Sequence, residues 1–297
     1  MIKINRIRVR SYDLDFLDID WQVSPFAGDV KDYEFYVEKS TRQAGPFYDL
    51  VGPLVDKYRV RDNTVRTNLS HYRESYYRIR VKHVPTGDTL VFPQTGMGVS
   101  MSAEPDLEAL EMARQERLIL REKDGRELLI FPRRTMGARC SCYDQTMKRK
   151  TRSNCLTCFD TTWVGGFESP LKVWGQIATG PVAANESPVT ELSLESAVFR
   201  LPNYPEILPG DIIVEAENKR WRVLENVGKS EKGRAVVRQT GQCRRVSEGD
   251  IEYRIPINQD AFSVEPTNPA NFLNPHNVTM ADIEDTALGY YKRFLNV

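Results

Sequence analysis

Along the first hundred residues, apolar positions recur at every second residue. Leu17, Ile19, Trp21 and Val23 alternate with polar neighbours, as do Tyr33, Phe35 and Val37, and then Tyr77, Ile79 and Val81. A period of two puts one face of each strand on a core and the other in water. Turn-forming pieces at 24–29, 43–46 and 85–88 separate these runs. Short strands punctuated in this way predict a β-sandwich over residues 1–98. The pattern then changes. Gly96, Gly98 and Ser100 read as a linker, and Leu107, Leu110 and Ala113 fall at helical spacing within a helix expected over 104–117. Ser102 is its candidate N-cap, and Pro105 is tolerated in a first turn. Two apolar runs, 118–120 and 128–131, flank Lys123-Asp124-Gly125, which predicts a β-hairpin.

From 171 to 258 the pattern returns to short strands. Val173, Gly175 and Ile177 alternate, 211–214 and 221–224 flank a polar turn at Glu217-Asn218-Lys219, and 235–237 and 251–257 complete the set. With no clear helix, this predicts a small barrel. Past 259 the chain is rich in Pro and Asn, including Pro266, Pro269, Pro275, Asn268, Asn271, Asn274 and Asn277. That composition predicts an extended arm ordered against a partner, ending in a short amphipathic helix over 280–295. The expected fold is mainly β and multidomain: a sandwich (1–98), a helix, hairpin and cysteine module (99–170), a barrel (171–258) and an arm (259–297).

The cysteines change this picture most. Of five, four lie within nineteen residues, as Cys140-Ser-Cys142 and Cys155-Leu-Thr-Cys158. Two close pairs separated by a loop can present four thiolates tetrahedrally to one ion. The favoured reading is a structural zinc, one per chain, held by Cys140, Cys142, Cys155 and Cys158; four thiolates close the coordination sphere and leave no open catalytic position. The competing readings are free thiols, a disulfide framework, which needs an oxidising compartment, and a redox C-x-x-C, which needs a βαβ context. The first pair, C-x-C, is one residue shorter than the usual zinc knuckle. Cys243 lies far away and reads as a small packed residue.

Composition narrows the function classes. In 297 residues, 41 Lys and Arg balance 41 Asp and Glu, so the net charge is zero. A surface coating nucleic acid throughout would be basic. No apolar run approaches the length that spans a bilayer, and the first ten residues, MIKINRIRVR, have no apolar signal stretch, which points to a cytosolic origin and no membrane. The three histidines, at 71, 83 and 276, sit in unrelated contexts, which argues against histidine acid–base catalysis. The one strongly basic stretch, 133–152, holds Arg133, Arg134, Arg139, Lys148, Arg149, Lys150 and Arg152 against Asp144. It supports an alternative reading, a zinc-ribbon nucleic-acid-binding protein, though Tyr143 and Phe159 are thin aromatic support for base stacking. A third reading, a carbohydrate-active or cell-wall enzyme, needs a carboxylate pair in a cleft. Glu215 and Glu217, on one strand face at period two, are explained better as a solvated face.

Two resemblances go further. The order of Trp21, Tyr33-Glu-Phe35-Tyr-Val37, Gly45-Pro46-Phe47-Tyr48-Asp-Leu50, Leu69 and Tyr77-Arg-Ile79-Arg-Val81 resembles a fibronectin type III domain. That family packs a strand-B Trp between its sheets and turns into strand F on a Tyr preceded by a Leu. Leu69 and Tyr77 stand further apart than in that pattern. Arg139 through Phe167 resembles the cysteine module of tailed-phage neck proteins, where a C-x-C or C-x-x-C pair precedes C-x-T-C-[FY]-x-T-x-[FW]-V-G-G. Here this is Cys155-Leu-Thr-Cys158-Phe-Asp-Thr161-Thr-Trp163-Val-Gly165-Gly166. Leu208-Pro-Gly210-Asp211 followed by Lys219-Arg-Trp221-Arg-Val223 resembles the hairpin of head–tail connector barrels.

These resemblances imply a structural virion protein with no catalytic residues, made in the bacterial host cytoplasm. It would form a homo-oligomeric ring in the neck between portal and tail. Its neighbours would be a portal or adaptor protein on one side and a tail, sheath or tail-terminator protein on the other, with genomic DNA in the lumen.

Overall fold

The computed structural model describes residues 2–13, 16–26, 28–64, 75–101, 106–179, 195–233 and 235–257. The expected arm and its terminal helix lie outside the described residues, as do Leu69, Ser102 and Pro105. The alternating runs of the first hundred residues form β1 (Ile4–Asp13), β2 (Phe16–Val23), β3 (Tyr33–Ser40), β4 (Tyr48–Leu54), β5 (Arg59–Asp62), β6 (Tyr76–His83) and β7 (Thr89–Phe92). They make an antiparallel sheet of order β1-β2-β5 and another of order β4-β3-β6-β7. Register follows from the period-two pattern: Val9 faces Ile19, Ile19 faces Val60, and Phe35 faces Val81. The inward residues of both sheets share one cluster, with Leu17, Ile19, Trp21, Phe35, Val37, Tyr77 and Ile79 fully buried. Trp21 packs its ring 5.9 Å from Phe35, so its role is core packing.

A polar tie crosses between the sheets. The Tyr77 hydroxyl donates to Asp62 Oδ2 at 2.6 Å, and the same carboxylate accepts from Lys39 Nζ (2.7 Å) and from the Thr64 amide and hydroxyl (2.8 and 2.6 Å). Burial alone would raise the Asp62 carboxyl; the donors from Lys39, Thr64 and Tyr77 outweigh it and hold the group below its usual range. Tyr77→Phe is expected to cost about 1.5–3 kcal/mol, the worth of a buried hydrogen bond to a charged acceptor. Urea unfolding of the two proteins measures it, and a difference near zero would mean the tie carries no stability.

The helix is α1 (Leu107–Ile119), later in the chain than the spacing suggested. Its cap is Asp106, whose carboxylate accepts from the Ala109 amide at 3.1 Å. The hairpin expected across Lys123-Asp124-Gly125 is absent. Residues 120–124 extend the helix by a π turn, because Leu120 continues the buried stripe of Ala109, Ala113 and Glu116. Glu116 sits on that stripe because Arg200 holds it with two hydrogen bonds, of 2.6 and 2.8 Å.

The remaining strands are β8 (Arg126–Phe131), β9 (Tyr143–Asp144), β10 (Arg149–Lys150), β11 (Leu171–Ala178), β12 (Ser196–Pro202), β13 (Ile212–Glu215), β14 (Arg220–Lys232) and β15 (Ala235–Arg245). Six of them close a barrel of order β11-β12-β15-β14-β13-β8. A boundary at 170 therefore does not separate the barrel from what precedes it, since β8 is one of its staves. The run 128–131 lacks alternation because both of its faces are buried. Leu128 and Ile130 point into the barrel with Phe199, Trp221 and Cys243, and Leu129 and Phe131 lie outside it under Phe167, Val246 and Ile255. Cys243 is fully buried in the barrel, and burial pushes its thiol up to about 12.

Ion pairs join the N-terminal sheets to α1 and to the barrel. Arg117 reaches Asp13 at 2.5 Å, and Glu206 bridges Arg10 of β1 (2.8 Å) and Lys229 of β14 (2.6 Å). Burial would raise the Glu206 carboxyl, but the Lys229 hydrogen bond and the Arg10 charge win and bring it to about 2. A depressed carboxyl contributes stability that is fully present above its unfolded value of 4.5 and is lost as pH falls toward 2. The melting temperature is expected to fall with pH across that window, and less steeply in Glu206→Gln. Equal slopes in the two proteins would remove Glu206 from the acid response.

Candidate metal centre

The chain leaves the barrel at Phe131 and returns at Leu171, and these two strands pair directly, Ile130 opposite Leu171. The cysteine module is thus an excursion between adjacent staves. Its first knuckle turns at Cys140-Ser-Cys142, where the Tyr143 amide donates to the Cys140 carbonyl (3.0 Å). The small β9–β10 hairpin then carries the chain out and back, and the Thr151 amide donates to the Cys142 carbonyl (2.8 Å). The second knuckle closes where the Cys158 amide donates to the Cys155 carbonyl (3.3 Å) and the Thr161 amide to the Cys158 carbonyl (2.9 Å).

This brings the four predicted cysteines together. Their sulfurs all lie within 4.8 Å of one another, with Cys140 Sγ 3.7 Å from Cys155 Sγ and Cys142 Sγ 3.4 Å from Cys158 Sγ. All four are buried, at 0–4% exposure, and none is in a disulfide. A closed set of four soft donors at this spacing can hold a metal ion and offers it no open position. The thiols are not alike. Burial, and hydrogen bonding to Cys158, push the Cys142 thiol up. At Cys155 burial also acts upward, but the Thr157 and Cys158 amides and the Cys140 thiol outweigh it and bring the group to about 6. Amides aimed at a sulfur favour the thiolate, the form a metal requires.

Several residues that cysteine spacing does not single out hold the site. Asp160 Oδ1 accepts from the Cys155 amide at 3.1 Å, and Lys150 lies 3.4 Å from the same carboxylate. The Thr161 hydroxyl donates to the Cys158 carbonyl at 2.7 Å. The Cys140 amide donates to the Thr162 carbonyl (3.0 Å), and the Gly165 amide to the Thr157 carbonyl (2.9 Å), so the segment after the second knuckle supports both pairs. Arg139 stacks on Trp163, 3.6 Å from the ring centroid, and donates to Thr162 Oγ1.

The basic stretch divides into two parts. Arg134 is structural: it pairs with Asp56 at 2.5 Å and donates to the Val164 and Phe167 carbonyls, clasping the module to the N-terminal sheets. Arg139 is committed to its stack and Lys150 to Asp160. Arg133 contributes its amide, which donates to Asp211 Oδ1 at 2.7 Å. Lys148, Arg149 and Arg152 are exposed around the β9–β10 hairpin, and no described carboxylate lies within ion-pair distance of them. Asp211 also accepts from the Leu208 amide (2.8 Å), so the Pro-Gly-Asp turn is tied to the base of the module. Burial raises the Asp211 carboxyl to about 7, against the pull of these two amides.

Glu215 and Glu217 do not share a strand face. Glu215, at the end of β13, is buried, accepts from the Trp221 indole and lies 3.1 Å from Arg126. Glu217 stands in a one-turn helix with left-handed backbone, φ 67°. They do not form a carboxylate pair. No described helix is long and apolar enough to cross a membrane.

No protein-family model matches this chain, and no curated protein sequence is detectably similar to it.

Proposed function

We propose that the protein is a structural component of a tailed-phage virion. It would form a homo-oligomeric ring in the neck, between a portal or adaptor protein and a tail, sheath or tail-terminator protein. The observation that carries this reading lies in the cysteine module. Several positions that resemble the neck-protein pattern beyond the cysteines, among them Thr161, Trp163 and Gly165, make contacts around the two knuckles, alongside Asp160 and Thr162 at positions the pattern leaves open. The module also springs from a closed barrel whose Pro-Gly-Asp turn holds its base through Asp211. The paired sheets β1-β2-β5 and β4-β3-β6-β7 around Trp21 support the fibronectin type III-like reading of 1–98.

The ion is zinc, one per chain and structural. Four sulfurs about 2.3 Å from a tetrahedral zinc stand about 3.8 Å apart, close to the spacings between these thiols. Cys140, Cys142, Cys155 and Cys158 hold it, and it fixes a module with little apolar core of its own.

A ring of identical subunits repeats one heterologous interface around a closed axis. Light scattering and negative-stain microscopy of the full chain, alone and with portal protein, are expected to show closed rings. A monomer at high concentration that neither portal nor tail protein assembles would overturn the neck reading.

A second reading rests on Lys148, Arg149 and Arg152. If this cationic hairpin binds duplex DNA, affinity falls with salt with a slope of about −0.9 per phosphate neutralised. The Lys148→Ala, Arg149→Ala, Arg152→Ala variant then loses most of that slope. Unchanged binding in the variant would dismiss the hairpin as a nucleic-acid contact.

A further inference from the structure

A cleft lies where the N-terminal sheets, the return of the cysteine module and the barrel meet. Its volume is about 340 Å³, and Tyr58, Val60, Leu171 and Tyr204 give it apolar walls. Such a volume, at a junction between units, is typical of small-molecule sites.

The charges lining it do not cancel. Arg61 is held by Asp18 through two hydrogen bonds (3.0 and 3.2 Å), and its guanidinium also lies 4.7 Å from the Tyr204 ring centroid. Arg134 is held by Asp56 at 2.5 Å. Beyond these two pairs the lining contributes Lys57 and Arg59 against Glu168, an excess of one positive charge. Arg59 is the unusual member. It is half-buried, lines the cleft together with Tyr204, and among the described residues no carboxylate lies within ion-pair distance of it. A guanidinium carries five N–H donors in a fixed fork, and one drawn partly out of water without an anion is held at a cost. Its donors have the cleft to point into. The side chain stays ionised there: desolvation acts against its charge, the negative charges of Glu168 and Asp18 act for it, and a guanidinium starts far above neutral pH.

We infer that this cleft is a binding site for a small organic monoanion, a single carboxylate on an apolar body. The carboxylate would take Arg59 in the bidentate geometry that guanidinium favours, with the body between Tyr58 and Tyr204. One negative charge neutralises the excess. A dianion such as phosphate would be opposed by Glu168 and by the paired Asp18 and Asp56. The cleft takes such a ligand whether or not the chain assembles into a ring.

Benzoate is the probe, with benzyl alcohol as its neutral counterpart and inorganic phosphate as the dianion. Calorimetric titration of the full chain is expected to show benzoate binding about tenfold or more tighter than either control. Glu168→Gln removes the opposing charge without touching a hydrogen bond, and is expected to tighten benzoate about threefold or more while leaving benzyl alcohol unchanged. Arg59→Leu is expected to abolish the preference for benzoate. Should that variant fail to fold, Glu168→Gln still decides the matter. Equal affinity for benzoate and benzyl alcohol, or benzoate affinity unmoved by Glu168→Gln, overturns the proposal.

Discussion

Changing Cys155 and Cys158 together to Ser is expected to abolish metal binding and melt the cysteine module while the barrel and the N-terminal sheets remain folded. The wild-type protein should hold zinc near one per chain, and the double variant essentially none. Each serine replaces a soft thiolate with a hydroxyl that stays protonated near neutral pH, and two remaining thiolates cannot close a tetrahedral site. Structural zinc contributes about 10–16 kcal/mol of apparent binding free energy in small domains, far more than this module's contacts could replace. The four cysteines make up a cluster of their own, and among the described apolar side chains Val164 is the one packed against it. The clusters of the N-terminal sheets and of the barrel interior are separate and contain none of these four residues. Loss of the metal should therefore show as protease cleavage within 133–169, with the strand signal in circular dichroism largely kept. A strong chelator acting on the wild type should give the same fragments. Full zinc retention in the double variant would sink the metal assignment, and global unfolding would show that the module supports its neighbours more than its separate core implies.

That separation explains what could be read from the chain and what could not. Period-two alternation made the strands around Trp21, Phe35 and Ile79 legible, since each puts its apolar side chains on one buried face and mostly polar, half-buried ones on the other. The same signal fails at 128–131, where both faces are dry; only the length of the apolar run marks such a strand, and a hairpin fits it equally well. The hairpin expectation failed because Asp-Gly reports a turn without saying what precedes it. Leu120 belongs to a helical stripe that Leu118 and Ile119, both exposed, obscure. The grouping of the four cysteines was legible because a set that could hold a metal shows itself in both residue type and spacing. Their support was not: Asp160, Thr162 and Arg134 act through hydrogen bonds to backbone, which leave no periodic trace. Arg59 was invisible for a related reason. Its significance is that no described carboxylate lies within ion-pair distance of it, and that is a property of three distant segments brought together.

Gly166→Ala is expected to destabilise the module by about 3–5 kcal/mol and to weaken metal binding, whereas Gly165→Ala should do much less. Both glycines have positive φ, 68° and 80°, so an alanine at either pays a left-handed backbone cost of about 1–2 kcal/mol. The difference lies in what a methyl group would meet. At Gly165 the nearest atoms belong to the Arg134 guanidinium, 3.3 Å away, an overlap that a shift of a few tenths of an ångström relieves. At Gly166 the methyl would stand 2.6 Å from the Cys158 carbonyl oxygen and 3.0 Å from its carbon. That oxygen accepts from both the Thr161 amide and the Thr161 hydroxyl, so it cannot move without releasing the turn that aims Cys158. The Gly166 amide also donates to the Trp163 carbonyl, and its own carbonyl accepts from the Arg134 amide, so the backbone is fixed on both sides of the clash. The overlap therefore falls on the knuckle, and the sulfur that belongs nearest Cys142 is displaced. Competition with a chromogenic zinc chelator should rank the proteins wild type, Gly165→Ala, Gly166→Ala in falling affinity, and urea melts of the zinc-loaded proteins should follow the same order. Equal affinities for the two alanine variants would mean that only backbone conformation matters at this pair, and that the second glycine is not there to make room for the Cys158 carbonyl.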